Sequence, residues 1–467
     1  MVWTESAHHS LESQLMEQSL RRVLREWERT GDLHYVERVV NPRFELGAVL
    51  ALRKDGPTQF FRRVEGYVMP VVGNVLNSRE KIARGLGAEL DTLQEACVDA
   101  LDRGVQPSLV PEGPVQEVVH EDRVDIPSLL PVPTWFEKEG GPYITAGVVI
   151  AKDPVTGLRN VSIARLRVEG GDRLLAGIAP THHLSELTRR AQARGQDLEI
   201  AIAIGNHPAV LVASQMYVEL GHDEYDIAGA LLGEPLRLVR CRTVDLEVPA
   251  EAEIVLEGVL DPNERMEEGL VSEFPGFYVN YGSGHAVWIR SVSCRRDAIY
   301  QAVLPGYAPE HCLLGGIAIG ATTCRALRHV LPNVQRVFIT AGGMGRVHAI
   351  ITMHRPQPDE ARRAITLAMA QTNLLKLVIV VDDDIDPADW SQVEWALGTR
   401  MRAERDIVLF PGARADRCEP LEENLTVTKV GIVATKMPGD GDTSGRFELA
   451  RAPRELLQRV RRELDAY

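Results

Sequence analysis

The segment Glu267-Glu268-Gly-Leu-Val-Ser-Glu273-Phe-Pro-Gly276-Phe-Tyr278 sets three glutamates among small and aromatic residues in a loop bounded by Gly and Pro. Acids on an exposed loop are the ordinary reading. A carboxylate pressed against Phe274, Phe277 or Tyr278 is desolvated, however, and its pKa rises into the range where it moves a proton near neutrality. A second segment, Asn160-Val-Ser-Ile-Ala-Arg165, offers a cation: paired with Arg165, one glutamate stays ionised while another cycles its proton. Residues five apart on a strand face opposite sides, so Asn160 and Arg165 border one site only where the strand ends or bulges. Taken alone, this segment reads as a polar residue and a surface arginine flanking a half-buried strand.

Three further side chains form a mixed oxygen and nitrogen donor set. Pro180-Thr-His-His183 opens a helix at Leu184, which puts two imidazoles at a helix N-terminus, where anions and metals are readily held. A histidine there is more often a cap or an exposed group. GHDEYDIAGALLG starts another helix at Glu224, where the macrodipole alone favours a carboxylate. Together Asn160, His183 and Glu224 supply an amide oxygen, an imidazole and a carboxylate, a set suited to Mn2+ or Mg2+ rather than to thiophilic metals. So short a protein set leaves places for the phosphate oxygens of a cofactor.

Positioning these groups calls for an α/β (α+β) chain in three units. Residues 1–115 read as an N-terminal α/β unit with a linker: SLRRVLREWERTG is an amphipathic helix ending at Gly31. Pro107, Pro111, Pro114, Pro127, Pro131 and Pro133 mark a stretch too irregular for a helix or a central strand. Residues 116–325 are β-rich, with YITAGVVIA, NVSIARLRV, LEIAIAIG, EIVLEGVL, HAVWIRSVSC and AIYQAVL as short strands. Their spacing predicts a split β-barrel-like or sandwiched domain able to house a flat cofactor. Residues 326–467 return to α/β, with strands in RVFITAG, HAIITMHR and LKLVIVVDDDID and a helix in DEARRAITLAMAQTN. They end in the turn PGDGDTSG and a charged helix, ELLQRVRRELDAY, of the kind that docks on a neighbouring subunit.

Composition narrows the partners. The chain has 467 residues with 52 Lys and Arg against 66 Asp and Glu, a formal net charge of -14 that argues against nucleic acid. An anionic substrate therefore needs a local arginine to hold it. The six cysteines are scattered without a CxxC pair, which fits reduced thiols. No apolar run of about 18 residues suggests a membrane span, and no leader is evident, so a cytoplasmic protein is expected.

The ordered combination NVSIAR, THH, DEY-x-x-AG, EG-x-x-x-E followed by a Gly-aromatic pair, and VVDDDIDPADW-x-x-V-x-WAL-x-TR resembles the UbiD family. FELGAVLALR, GYVMPVVGNVLNSREKIARGLG and TKVGIVATK extend the resemblance over nearly the whole chain. It implies reversible, non-oxidative decarboxylation of an aromatic, heteroaromatic or α,β-unsaturated acid through a covalent adduct with prenylated FMN. Arg165, Glu268 and Glu273 match the family's catalytic Glu-Arg-Glu network, with Glu273 as proton donor, and Asn160, His183 and Glu224 match its metal ligands. Ile163, Ala164, Arg165, His182, His183, Ser214, Gln215, Met216 and Glu224 are thereby implied at the cofactor, its phosphate and a nearby K+. His182 stands where some relatives carry glutamine. A flavin prenyltransferase of the UbiX type is implied as cofactor supplier, and a homo-oligomer, dimer or hexamer, as the working state.

Two segments depart from the family pattern: Val433 within GIVAT, and Arg417-Cys418-Glu419-Pro420, both on the expected substrate-side lid. Lys376 is the candidate lysine for the flavin phosphate, and Phe274, His311, Leu313 and Leu314 are expected neighbours of the substrate. The rival readings are a flavin-free metal hydrolase or lyase and a non-catalytic carboxylase subunit.

Overall fold

The computed structural model describes residues 17–436, 447 and 449–466. The turn PGDGDTSG lies outside the described residues. The first helix, Leu20–Thr30, forms as its pattern requires: Ser19 caps it, Gly31 ends it at φ 78°, and Leu20, Val23, Leu24 and Trp27 make its buried stripe. It leads into a four-stranded sheet in the order Leu33–Val36, Thr58–Phe61, Val71–Gly73, Tyr300–Ala302, so a strand from far along the chain completes the N-terminal layer. Asn74, just after the third of these strands, ties the layer to the helix Glu45–Leu52 by donating to the Leu50 carbonyl at 3.0 Å.

The central sheet has nine strands. Its pairing path runs Tyr143–Ile144, Arg165–Gly170, Arg173–Gly177, Ser283–Cys294, Ile254–Glu267, Leu198–Ile204, Val148–Lys152, Arg159–Ile163, with Val118–His120 paired to Ser283–Cys294 off that path. The Pro-rich stretch thus contributes a short strand to this sheet rather than running free. Strand Leu198–Ile204 shows why both faces are covered: Leu198, Ile200, Ile202 and Ile204 point into one core, and Ala201 and Ala203 into another. No ladder among the described residues joins the two ends of the path, so the barrel-like sheet stays split. Ile163 lies on the last strand of that path and Arg165 on the second, yet only Ala164 separates them. The sheet must therefore curl until its ends adjoin, and the seam falls at Ala164.

A 20-residue helix, Pro309–Arg328, carries the chain into the C-terminal unit. That unit is a five-stranded sheet in the order Val334–Ile339, His348–Met353, Leu377–Asp382, Thr426–Ala434, Ile407–Arg414. Val433 is buried and faces Val380 in the parallel ladder, so this departure from the family pattern packs a sheet. The acids of VVDDDID are structural as well. Arg400, buried in Trp390–Arg400, donates to Asp382 at 2.7 Å and to both oxygens of Asp384 at 2.8 and 2.9 Å. Lys436 completes the network at 2.6 Å from Asp384. One apolar cluster runs from Val72 and Leu76 through Ile150 and Val255 to Val337 and Val380, joining the four-, nine- and five-stranded sheets. Among the described residues no helix is long and apolar enough to cross a membrane.

Candidate active site

The seam opens on a cavity of about 520 Å³, within the range of roughly 300–1,000 Å³ usual for small-molecule sites. Arg165 begins its strand directly opposite Gly177 in the ladder. Its guanidinium grips Glu268 with both arms, Nε to Oε1 at 2.6 Å and Nη2 to Oε2 at 2.8 Å, while Nη1 reaches Glu273 Oε1 at 3.3 Å. A fork-to-fork pair fixes orientation as well as charge. Gly177 makes room for it, since a Cβ there would stand 2.5 Å from Glu268 Oε1 and 2.7 Å from Arg165 Nε.

The two glutamates differ in circumstance. Glu268 directly follows the long strand Ile254–Glu267 and is 1% exposed, with its carbonyl accepting from Arg167. Glu273 sits in the turn between Leu270–Ser272 and Tyr278–Asn280, where Gly276, at φ 81°, closes a hydrogen bond to the Glu273 carbonyl at 2.7 Å. Burial raises the Glu273 pKa above the ordinary carboxylate value, against the opposing pull of Arg165 and Tyr281. The aromatic neighbours behind that desolvation are not all those expected from the loop. Phe274 is buried and lines the cavity, but Phe277 and Tyr278 face solvent. Tyr281, six residues beyond the loop's proline, lines the cavity as well, as a hydrogen-bond partner that favours the ionised Glu273.

Across the seam, Asn160 lies on Arg159–Ile163 and Glu224 opens the helix Glu224–Leu232. Asn160 Nδ2 and the Val161 amide donate to the two oxygens of Glu224 at 3.0 and 2.7 Å. Burial pushes the Glu224 carboxyl up to about 8. The other end of the Asn160 amide, Oδ1, is buried without a hydrogen-bond partner. A buried acceptor left open beside a buried carboxyl lacking a cation is the environment that a hard divalent ion would satisfy. His183, the first residue of His183–Ala193, lines the same cavity, as does His182, which occupies the N-cap but makes no capping hydrogen bond. Among the described residues no three His, Cys, Asp or Glu side chains form a metal cluster, so a cation here needs the Asn160 oxygen and ligands from outside the protein.

Ile163, Ala164, Ser214, Gln215 and Met216 also face the cavity, so every expected catalytic, metal and cofactor residue except Glu268 borders one space, and Glu268 is joined to it through Arg165. Phe274, His311 and Leu314 line it, while Leu313 packs partly buried against the core. Lys376 is elsewhere: it pairs with Glu419 at 2.8 Å beside a separate small cavity. Arg346 and Tyr281 are lining residues that escaped the sequence reading. Arg346 is buried and donates only to backbone carbonyls, those of Cys312 and Gly345 at 3.2 Å and His311 at 3.5 Å. Gly315 accommodates it, because a Cβ would meet the guanidinium at 1.8 Å. Arg417, from the segment that departs from the family pattern, lines the cavity too; the glycine run before Arg346, AGGMGR, hinted at a close approach, and nothing marked Tyr281.

Three family models match consecutive stretches of the chain. They are the 3-octaprenyl-4-hydroxybenzoate carboxy-lyase N-terminal domain at residues 24–101, its Rift-related domain at 108–308 and its C-terminal domain at 312–434. The chain is 36% identical over 404 residues to an anhydromevalonate phosphate decarboxylase of Methanothermobacter thermautotrophicus, covering 86% of this chain and 93% of that one. The UbiD-class enzyme HmfF of Pelotomaculum thermopropionicum, solved with FMN, superposes with a TM-score of 0.89 at 39% identity over 96% of this chain and 98% of its own. An evolved dimeric form of that enzyme, solved with prFMN, gives 0.87 at 38% identity over 97% and 99%.

Proposed function

The chain belongs to the UbiD family and is a carboxy-lyase, and on that footing we propose that it removes or adds CO2 on an aromatic, heteroaromatic or α,β-unsaturated acid, with prenylated FMN in the seam cavity. The observation that carries this reading is the asymmetry of the Glu268–Arg165–Glu273 network. Glu268 holds the guanidinium by two short bonds, whereas Glu273 touches it at 3.3 Å and is biased by burial toward its protonated form. In this reading Arg165 binds the substrate carboxylate, Glu268 keeps Arg165 oriented, and Glu273 delivers the proton to the carbon that has lost CO2. Prenylated FMN, when bound, supplies the electron sink for that carbon.

Asn160, His183 and Glu224 would hold Mn2+ or Mg2+, with a cofactor phosphate completing the coordination and K+ beside it. Ile163, Ala164, His182, Ser214, Gln215 and Met216 would border the cofactor within the proposed 116–325 domain, and Arg346 and Arg417 line the same cavity from the proposed 326–467 domain. The working state is a homo-oligomer, with a prenyltransferase of the UbiX type as cofactor supplier.

Arg346 favours a narrower substrate class. It is a buried cation with no ion pair among the described residues, facing the cavity beside Phe274, with His311 held neutral near pH 7 by burial, its pKa pushed down to about 4. It suits a second anionic group on the substrate, a carboxylate or a phosphate. The methanogen relative is named for a phosphorylated acid.

Coexpression with a flavin prenyltransferase should yield a chain with a flavin absorbance band that releases CO2 from, or exchanges deuterium into, at least one acid of a panel. The panel should span aromatic, heteroaromatic, cinnamic and phosphorylated unsaturated acids. A colourless protein whose only activity is chelator-sensitive hydrolysis would overturn the reading. R346Q should weaken kcat/KM for doubly anionic acids selectively.

A further inference from the structure

The segment Arg417-Cys418-Glu419-Pro420 departs from the family pattern, and the structure brings its first residue to the seam cavity. The Arg417 guanidinium carbon stands 4.3 Å over the centroid of the Tyr281 ring, and that of Arg165 stands 4.5 Å over the same ring. The Tyr281 ring is thus in contact with both guanidinium groups. The electron-rich faces of a tyrosine attract cations. Arg417 makes no ion pair among the described residues. The carboxylates flanking it are engaged elsewhere, Asp416 with the Cys418 amide at 3.1 Å and Glu419 with Lys376 at 2.8 Å.

We propose that Arg417 is a positioning residue for the reaction: it clamps Tyr281 against Arg165 and so fixes the guanidinium that meets Glu268 and Glu273. This rests on the roles given above to those three residues. The charged and titratable groups facing Glu273 are Arg165, Tyr281, Asp416 and Cys418. Of these, Tyr281 and Arg165 favour the ionised carboxylate. If the ring swings away, Glu273 keeps its proton to a higher pH, and a rate that needs that proton declines at a higher pH than before.

A probe of the ring itself separates this clamp from the wider reading. With 3-fluorotyrosine at position 281 of the full chain, without cofactor, fluorine NMR should show one sharp resonance that shifts or broadens in R417Q and is largely kept in R417K. A resonance unchanged in R417Q overturns the clamp. In the reconstituted enzyme, with the acid it turns over best, R417Q should lower kcat by roughly tenfold with little change in KM and move the alkaline limb upward, and R417K should restore most of the rate. Parent-like kcat and pH profile in R417Q also overturn it. If no acid is turned over, the functional reading falls and the resonance alone decides the clamp.

Discussion

At Glu273 the chemistry depends on a carboxyl that burial biases toward the proton and that Arg165 touches only singly. Glu273→Gln keeps the shape and removes the transferable proton. Turnover should fall roughly 10²-fold or more while flavin absorbance is retained, and a variant with parent-like turnover would remove Glu273 from its role. Gly177 gives a second test through space rather than charge. A methyl there would intrude on both Arg165 and Glu268. Gly177→Ala should therefore cost on the order of tenfold or more in kcat with an unchanged melting temperature, measured by steady-state kinetics beside calorimetry. Arg165, Glu268 and Glu273 were legible in the sequence because each sits in a short motif, whereas Gly177 was not. Nor were Arg346 and Tyr281, since what makes them neighbours of the site is tertiary: a guanidinium on backbone carbonyls and a ring touched by two cations leave no spacing to read.

At the scale of elements, periodicity was a good guide where a helix buries one stripe, as in Leu20–Thr30. The requirement that Asn160 and Arg165 meet only at a strand's end is met, because Arg159–Ile163 stops and a new strand begins after Ala164. Long-range pairing was less visible: nothing local announces that Tyr300–Ala302 completes the N-terminal sheet. The helix Pro309–Arg328 carries a testable feature at its start. Glu310 is 1% exposed, accepts from the Leu76 amide at 2.8 Å, and is pushed up to about 7 by burial. A carboxyl whose folded pKa is raised stabilises the fold fully below its ordinary value and loses that contribution as pH climbs through the folded one. The parent should lose stability on this account between about pH 5 and about pH 8, on the order of 2 kcal/mol. Glu310→Gln should flatten the dependence, as melting temperatures at the two ends of that window would show, and an equally steep profile would contradict the assignment.

For the whole molecule, one apolar cluster fuses the four-, nine- and five-stranded sheets, while the helix Arg454–Arg462 has no buried residue and leaves Leu456 and Leu457 about two-fifths exposed. A second copy of the chain is the proposed cover. Deleting residues 449–467 should lower the mass measured by light scattering without lowering the melting temperature of what remains, and an unchanged mass would place the oligomer contact elsewhere. The seam has a different consequence. The amide that would face the metal and the guanidinium that would face the substrate hang from one uninterrupted ribbon, Asn160 to Arg165, whereas Arg346 and Arg417 arrive from a separate sheet. Covalent bonds set the first spacing and packing sets the second. Selectivity can therefore be redesigned from the C-terminal side while the reactive geometry keeps its calibration, as a lathe accepts a new jaw without realigning its spindle.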